Sequence, residues 1–288
     1  MGRESFLWQV KAIRAVHQGP IAVIVRGAYI NKLVSQSPEL LAQLPETEQK
    51  LRDQLIQLYR SCDRIICIAQ HLVTSVQKVV GAGEVPVTFL PNPIDLSDFT
   101  AIAPPRPDPN APIQLFMAAQ LKARKRPLDA VEIMQHLVTR GADCYLTICG
   151  DGIDRQQMLD LIAHYGLEER IRLKGKLERR EIIQYLQQAE IVLLCSDNEG
   201  RPRVLQEAIA ASRAIVAYDN PGSREVINSW LEPWQWGRLV AIGDTVAASR
   251  AILELAQLLR QYPPRSIPIH SSQSILQQYI NLFSDGNP

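Results

Sequence analysis

Long apolar runs are missing from this sequence. Nowhere in its 288 residues do about 18 apolar positions follow one another, so no segment is built to cross a bilayer as a helix. Paired cysteines are missing too. Cys62, Cys67, Cys144, Cys149 and Cys195 are odd in number and scattered, without a Cys-x-x-Cys or His-x-x-x-His pair. That spacing argues against a structural metal and for buried, reduced thiols. Charge of one sign is also lacking: 31 basic and 30 acidic residues leave a formal net charge of +1, which gives no global field for nucleic acid. No Asp-x-Asp metal motif occurs. Neither GAGEVP (81–86) nor GDGIDR (150–155) has the third glycine of a dinucleotide fingerprint, which sets aside a nicotinamide oxidoreductase. The opening residues MGRESFLWQVKAIRAV are interrupted by Arg3, Lys11 and Arg14 and do not read as a secretion signal. The expectation is a cytoplasmic protein, touching the inner membrane surface peripherally at most.

What is present is alternation. Short β-branched runs occur at 21–25, 64–69, 87–91, 113–118, 144–150, 171–175, 191–196 and 214–219. Each is continuously or almost continuously apolar, the pattern of strands buried on both faces of a parallel sheet. Helical-period stretches lie between them, at 126–140, 155–165, 180–188, 202–211 and 245–259, with a final amphipathic stretch at 271–283. Strand and helix in alternation predict doubly wound α/β architecture. Prolines and aspartates crowd DFTAIAPPRPDPN, so 98–110 reads as a linker. Residues 111–262 then supply five strands, enough for a complete domain. Residues 1–97 supply about three, which reads as a partial domain, and the tail 263–288 is expected to pack back toward it.

Chemistry concentrates where the run at 191–196 ends. SDNEGR leads into Pro202, placed as the first residue of a helix, which leaves the amides of Arg203 and Val204 without intrahelical acceptors. Free amides at a helix start attract phosphate or carboxylate. Gly200 admits a ligand close to the backbone, and Arg201 and Arg203 add positive charge. Glu199 and Glu207 place two carboxylates on that loop and helix, and carboxylates accept hydrogen bonds from vicinal hydroxyls such as those of ribose or hexose. A second basic loop, Lys122, Arg124, Lys125 and Arg126, also follows a strand end, where open sheets bind ligands.

The run SDNEGRPRVLQEAIAASRAIVAYDNPGSREVI (196–227) resembles the nucleotide-sugar segment of family 4 retaining glycosyltransferases, whose Glu-x7-Glu motif is met by Glu199 and Glu207. The likeness extends through PNPID (91–95) with Phe99, ICGDGIDR (148–155), LKGKLERREIIQYLQQAEIVLLCSDNEG (173–200) and GRLVAIGD (237–244), covering about residues 60–285. It implies a GT-B type α/β fold, two Rossmann-like doubly wound parallel-sheet domains, with the N-terminal one incomplete here.

The resemblance implies a sugar moved from a nucleotide-diphosphate donor to a sugar, lipid-linked or other hydroxyl acceptor. Glu199 and Lys125 are the implied catalytic pair, on sugar and pyrophosphate. Glu207 is implied on the ribose hydroxyls, and Lys176 and Leu177 against the base. Gln120, Gly150, Asp151, Gly152, Gly200, Arg201, Pro202, Arg203 and Val204 complete the nucleotide-sugar site. No metal or cofactor is called for, the nucleotide sugar being the donor substrate, and no nucleic acid is expected. Three departures stand out. Ala119-Gln120 replaces a Gly-Arg whose arginine binds phosphate, so Arg124 or Arg126 is expected to compensate. Arg126 replaces a glycine, and Arg26-Gly27 replaces a His-Gly. A second reading is a noncatalytic or split-enzyme subunit that binds nucleotide sugar and needs a partner chain for the acceptor side.

Overall fold

The computed structural model describes residues 5–16, 18–27, 30, 43–81, 83–105, 108, 110–229, 235–262 and 272–284. The chain divides into two compact units, Met1–Pro93 with Ser272–Pro288, and Ile94–Ser271.

In the smaller unit the described helices are α1 (Ser5–Val16), α2 (Glu46–Arg60), α3 (Gln70–Val80) and the tail helix α11 (Ser272–Ser284). Its strands are β1 (Ala22–Val25), β2 (Arg64–Cys67) and β3 (Val87–Phe89), parallel in the order β1-β2-β3. Ile65, Ile66 and Cys67 on the central strand are fully buried, which accounts for the unbroken apolar run there. The Tyr279 hydroxyl of α11 donates to the Leu90 carbonyl at 3.3 Å.

The larger unit holds β4 (Ile113–Ala118), β5 (Cys144–Cys149), β6 (Ile171–Gly175), β7 (Ile191–Leu194), β8 (Ala214–Tyr218) and β9 (Gly237–Val240). They form one parallel sheet in the order β6-β5-β4-β7-β8-β9. Its helices are α4 (Ser97–Thr100), α5 (Pro127–Thr139), α6 (Arg155–His164), α7 (Arg179–Gln188), α8 (Arg203–Ala210), α9 (Pro221–Asn228) and α10 (Thr245–Gln261). Every residue of β7 and β8 is buried, so these central strands have no polar face at all. Periodicity alone finds five of the six strands. The half-buried β9 carries Gly237 and Arg238 and is legible only through the resemblance at 237–244.

The break between the units falls between Pro93 and Ile94, ahead of the proline-rich stretch. Ile94, Leu96, Phe99 and Ile102 are the reason: all four are buried in the core of the larger unit. Much of the expected linker is therefore fastened down. The buried Arg213 donates to the Ala103 carbonyl at 2.8 Å, and Arg260 donates to the Ala111 carbonyl at 3.1 Å. Arg179 lies over the Phe99 ring at 4.9 Å and donates to the Asp95 carbonyl at 2.7 Å.

Phe99 carries much of this attachment, being 1% exposed. Phe99→Ala is expected to lower the unfolding free energy of the larger unit by about 3–5 kcal/mol. Urea denaturation measures it, and an unchanged midpoint would contradict the assignment.

Candidate functional site

The sheet of the larger unit reverses direction once. From β4 the chain winds outward through β5 and β6, then returns to the other side of β4 and continues through β7, β8 and β9. The reversal lies between β4 and β7, and in open α/β sheets ligands settle in the crevice at the carboxyl ends of the strands flanking such a switch. The two segments that leave β4 and β7 there are Ala119–Arg126 and Cys195–Pro202, the basic loop and the Glu199 loop.

The loops are bonded to each other. The Lys125 ammonium donates to Glu199 Oε1, with both side chains largely buried. Arg124 Nη1 donates to the Asn198 carbonyl and stands 4.0 Å from Glu199 Oε2, while the Asp197 amide donates to the Arg124 carbonyl at 3.0 Å. Arg126 Nε donates to Asp129 Oδ2 at 2.7 Å and its Nη1 to Asp197 Oδ1 at 3.4 Å. Behind Asp129, the buried Tyr218 hydroxyl donates to the same Oδ2 at 2.6 Å. The hydrogen bond to Asp129 holds the Arg126 guanidinium charged, above its ordinary value.

The Glu199 loop also rests on α9. Asn220 caps that helix by accepting from the Ser223 amide at 3.0 Å, and its Nδ2 donates to the Ser196 carbonyl at 2.9 Å. A Cβ on Gly222 would come within 2.4 Å of the Glu199 carbonyl, so only glycine lets the loop lie there. Tyr218, Asp129 and Asn220 were not expected from the sequence. The signal available for Asn220 was Asn-Pro-Gly after an apolar strand, a helix-start pattern. Tyr218 and Asp129 left none, because their link is purely tertiary.

The remaining predicted residues divide into three groups. Glu207 lies on α8, one turn beyond Arg203, and is half-buried. Its carboxylate has no hydrogen bond or ion pair among the described residues. Burial raises its carboxyl above the ordinary range, against a smaller opposite effect of Arg203 and Arg179. It is thus a carboxylate partly stripped of water and not yet matched. Pro202 is the N-cap of α8, one position earlier than expected, so Arg203 and Val204 are the first two helical residues, Arg203 exposed and Val204 half-buried. Lys176 is exposed just after β6, and Leu177 packs its side chain against the core.

A second group serves the backbone. A Cβ on Gly150 would meet the Ala119 carbonyl oxygen at 1.8 Å, and one on Gly152 would meet that of Leu121 at 2.1 Å. These glycines let the loop after β5 close onto the loop after β4, through Leu121 N to Asp151 O and Asp154 N to Leu121 O, both 3.0 Å. The Asp151 carboxylate accepts from the Gly152 amide at 2.8 Å. Arg201 turns inward, pairing with Glu225 at 3.1 Å, and Gly200 beside it is buried.

The third group concerns lost and gained charge. Gln120 is exposed, and its amide oxygen accepts from the Lys122 ammonium at 2.6 Å. Neither Arg124 nor Arg126, the residues expected to compensate for Gln120, is unengaged. Arg126 also explains its own departure: it is left-handed, with φ 45 and ψ 54, the conformation glycine adopts without penalty. Among the described residues no cluster of three or more His, Cys, Asp or Glu side chains is arranged to hold a metal. No described helix is long and apolar enough to cross a membrane.

Arg126→Gly is expected to leave stability within about 1 kcal/mol, because relief of roughly 1–2 kcal/mol of left-handed strain offsets the lost, partly exposed ion pairs. The tether to Asp197 goes with the side chain, so amide exchange at Asp197, Asn198, Glu199 and Gly200 should accelerate. Unchanged protection of those amides would contradict the tether.

Comparison with known proteins gives one consistent result. The model of the family described as Glycosyl transferases group 1 matches residues 98–261. The chain is 32% identical over 152 residues, 51% of its length and 36% of the relative's, to the amylovoran biosynthesis glycosyltransferase AmsK of Erwinia amylovora. It is 27% identical over 252 residues, 84% of its length and 57% of the relative's, to the putative colanic acid biosynthesis glycosyltransferase WcaL of Escherichia coli K12. The chain therefore spans about half the length, or less, of these curated relatives. Among solved structures, the pneumococcal O-GlcNAc transferase GtfA in complex with UDP and GlcNAc superposes with a TM-score of 0.69 at 18% identity, covering 98% of this chain and 59% of that one.

Proposed function

The chain belongs to the glycosyl transferases group 1 family, and from that membership we propose that it moves a sugar from a nucleoside-diphosphate donor to a hydroxyl acceptor. One observation carries the reading: the Lys125–Glu199 pair lies at the switch point of the sheet, with the unpaired Glu207 on the helix that follows.

In this reading the two charged groups exchange partners when the donor binds. Lys125 passes from the Glu199 carboxylate to the diphosphate, and Glu199, released, accepts hydrogen bonds from the sugar hydroxyls. The first amides of α8 face the same anion. Glu207 takes the ribose diol, which matches a half-buried carboxylate that has lost water and gained no protein partner. As the bond from the sugar to the diphosphate breaks, charge grows on the departing phosphate oxygen. Lys125 and the amides stabilise it most where it is greatest, which is how a preorganised site lowers a barrier. The acceptor oxygen forms the new bond to the sugar carbon and passes its proton to the departing diphosphate. Retention of configuration and a donor site without metal are parts of the proposal that the resemblance suggests. The relatives named for amylovoran and colanic acid biosynthesis point to a polysaccharide intermediate as acceptor, and the GtfA complex makes UDP the first nucleotide to test. Five free, buried cysteines suit a reducing compartment such as the cytoplasm.

Calorimetric titration with uridine, guanosine and adenosine diphosphates tests the site. Wild type is expected to bind one of them, and Lys125→Ala and Glu207→Ala are each expected to lose that binding while keeping a folded melt. Unchanged affinity in both variants would remove the assignment.

The pH dependence gives a separate check. Glu207 accepts hydrogen bonds from both ribose hydroxyls with both its oxygens only when ionised, and its carboxyl titrates above the ordinary value of 4.5. Affinity should therefore fall as pH drops through a window above that value. Glu207→Gln should bind more weakly at neutral pH and lack this component, while the titration of the nucleotide's own phosphate remains in both proteins. The stability effect has the opposite sign. A carboxyl whose folded pKa is raised makes the native state hold its proton longer, so its ionisation costs stability as pH rises through the window. Identical pH profiles in wild type and Glu207→Gln would contradict the role.

A further inference from the structure

The loop after β4 carries four cations, Lys122, Arg124, Lys125 and Arg126, and three of them face carboxylates of the protein. Lys125 is matched by Glu199, Arg126 by Asp129 and Asp197, and Arg124 by the Asn198 carbonyl with Glu199 at 4.0 Å. Lys122 differs. Its ammonium donates to the neutral Gln120 amide oxygen at 2.6 Å and has no carboxylate partner among the described residues. Asp151 and Asp154 lie on the adjoining loop, yet neither forms an ion pair with it. The loop's surplus positive charge thus resides on one ammonium, held in place by an uncharged residue.

That ammonium is well rooted. Leu121, just before it, is fully buried, its amide bonded to the Asp151 carbonyl and its carbonyl accepting from the Asp154 amide. Lys122 itself is extended, with φ −150 and ψ 154, and its carbonyl accepts from the Lys125 amide at 2.7 Å. The backbone that carries Lys122 is thereby joined to the backbone that carries Lys125. A protein that only needed to neutralise its loop would set a carboxylate against this lysine. Here the side chain is steadied by Gln120 with its charge left unanswered, at the carboxyl end of a switch-point strand, where an anion would supply the missing partner.

The geometry points to Lys122, positioned by Gln120, as a second phosphate-binding cation of the donor site, acting beside Lys125. The inference rests on the proposed nucleoside-diphosphate site and adds to it which residue replaces the charge that Gln120 lacks: not Arg124 or Arg126, but the lysine two positions along. Gln120 is then a positioning residue that acts through Lys122.

The test is a calorimetric series with uridine, guanosine and adenosine diphosphates, followed by the free nucleoside of the one that wild type binds best. Lys122→Ala is expected to weaken the diphosphate about tenfold, the size of one charge-assisted hydrogen bond, and to leave the nucleoside unchanged. Lys122→Arg should restore most of the affinity. Gln120→Leu should weaken the diphosphate by a smaller factor and have no effect in a Lys122→Ala background, which separates positioning from direct contact. Melting curves confirm that each variant is folded. If wild type binds none of the three diphosphates, the donor-site reading and this inference fall together. If Lys125→Ala loses the diphosphate but Lys122→Ala binds it like wild type, only the role of Lys122 is overturned.

Discussion

The Lys125 ammonium against the Glu199 carboxylate joins residues 74 positions apart in sequence, on the two loops that leave β4 and β7. Those strands are neighbours only because the chain winds outward to β6 and then returns to the other side of β4. Most other features of the site follow from that reversal. It opens a crevice between loops, and each loop must then be anchored away from the sheet. Gly150 and Gly152 let the first loop lie against the Asp151–Asp154 turn, while Asn220 and Gly222 let the second lie on the start of α9.

An ion pair in such a place is a poor stabiliser. Removing a lysine and a glutamate from most of their water costs several kcal/mol per ion, and their attraction recovers that only when geometry and further hydrogen bonds are good. The pair has instead the properties of two groups awaiting other partners. Arg124 stands 4.0 Å from Glu199, and Glu207, on the next helix, is half-buried and unmatched. On the proposed function, a ligand carrying both phosphate and hydroxyls would satisfy all of them together. Rigid support is needed to hold charged groups ready in this way, and Tyr218, Asp129 and Arg126 form it in a chain of hydrogen bonds beneath the loop. Arg126 holds the left-handed conformation that the chain adopts there, at some cost in strain, and gains two carboxylate partners for it.

Much of this was legible in the sequence because it depends on local pattern. The extents of β4 and β6 were read residue for residue, β4 from its largely buried apolar run and β6, an edge strand with exposed Arg172 and Lys174, from the alternation of Ile171 and Leu173 with polar residues. The loop with Gly200 and Pro202 announced a helix start, though the structure makes Pro202 the cap. What sequence could not give depends on tertiary pairing. Arg201 looked like a ligand contact and is paired inward with Glu225. Gly150 and Gly152 looked like part of a ligand turn, and the close approach of two backbones that they permit was not legible. The stretch after Asp98 looked like a free linker, but Phe99 and Ile102 are apolar enough to bury, and they draw it into the core of the larger unit. Gln120 looked like a simple loss of charge until Lys122 was seen bonded to it.

The exchange of partners at the Lys125–Glu199 pair is the centre of this account, and a crystal structure of the chain with a bound nucleoside diphosphate observes it directly. The pair is expected to be broken, with Lys125 Nζ within hydrogen-bond distance of a phosphate oxygen and the ribose hydroxyls on Glu207. A nucleotide bound elsewhere, with Lys125 still on Glu199, would contradict it.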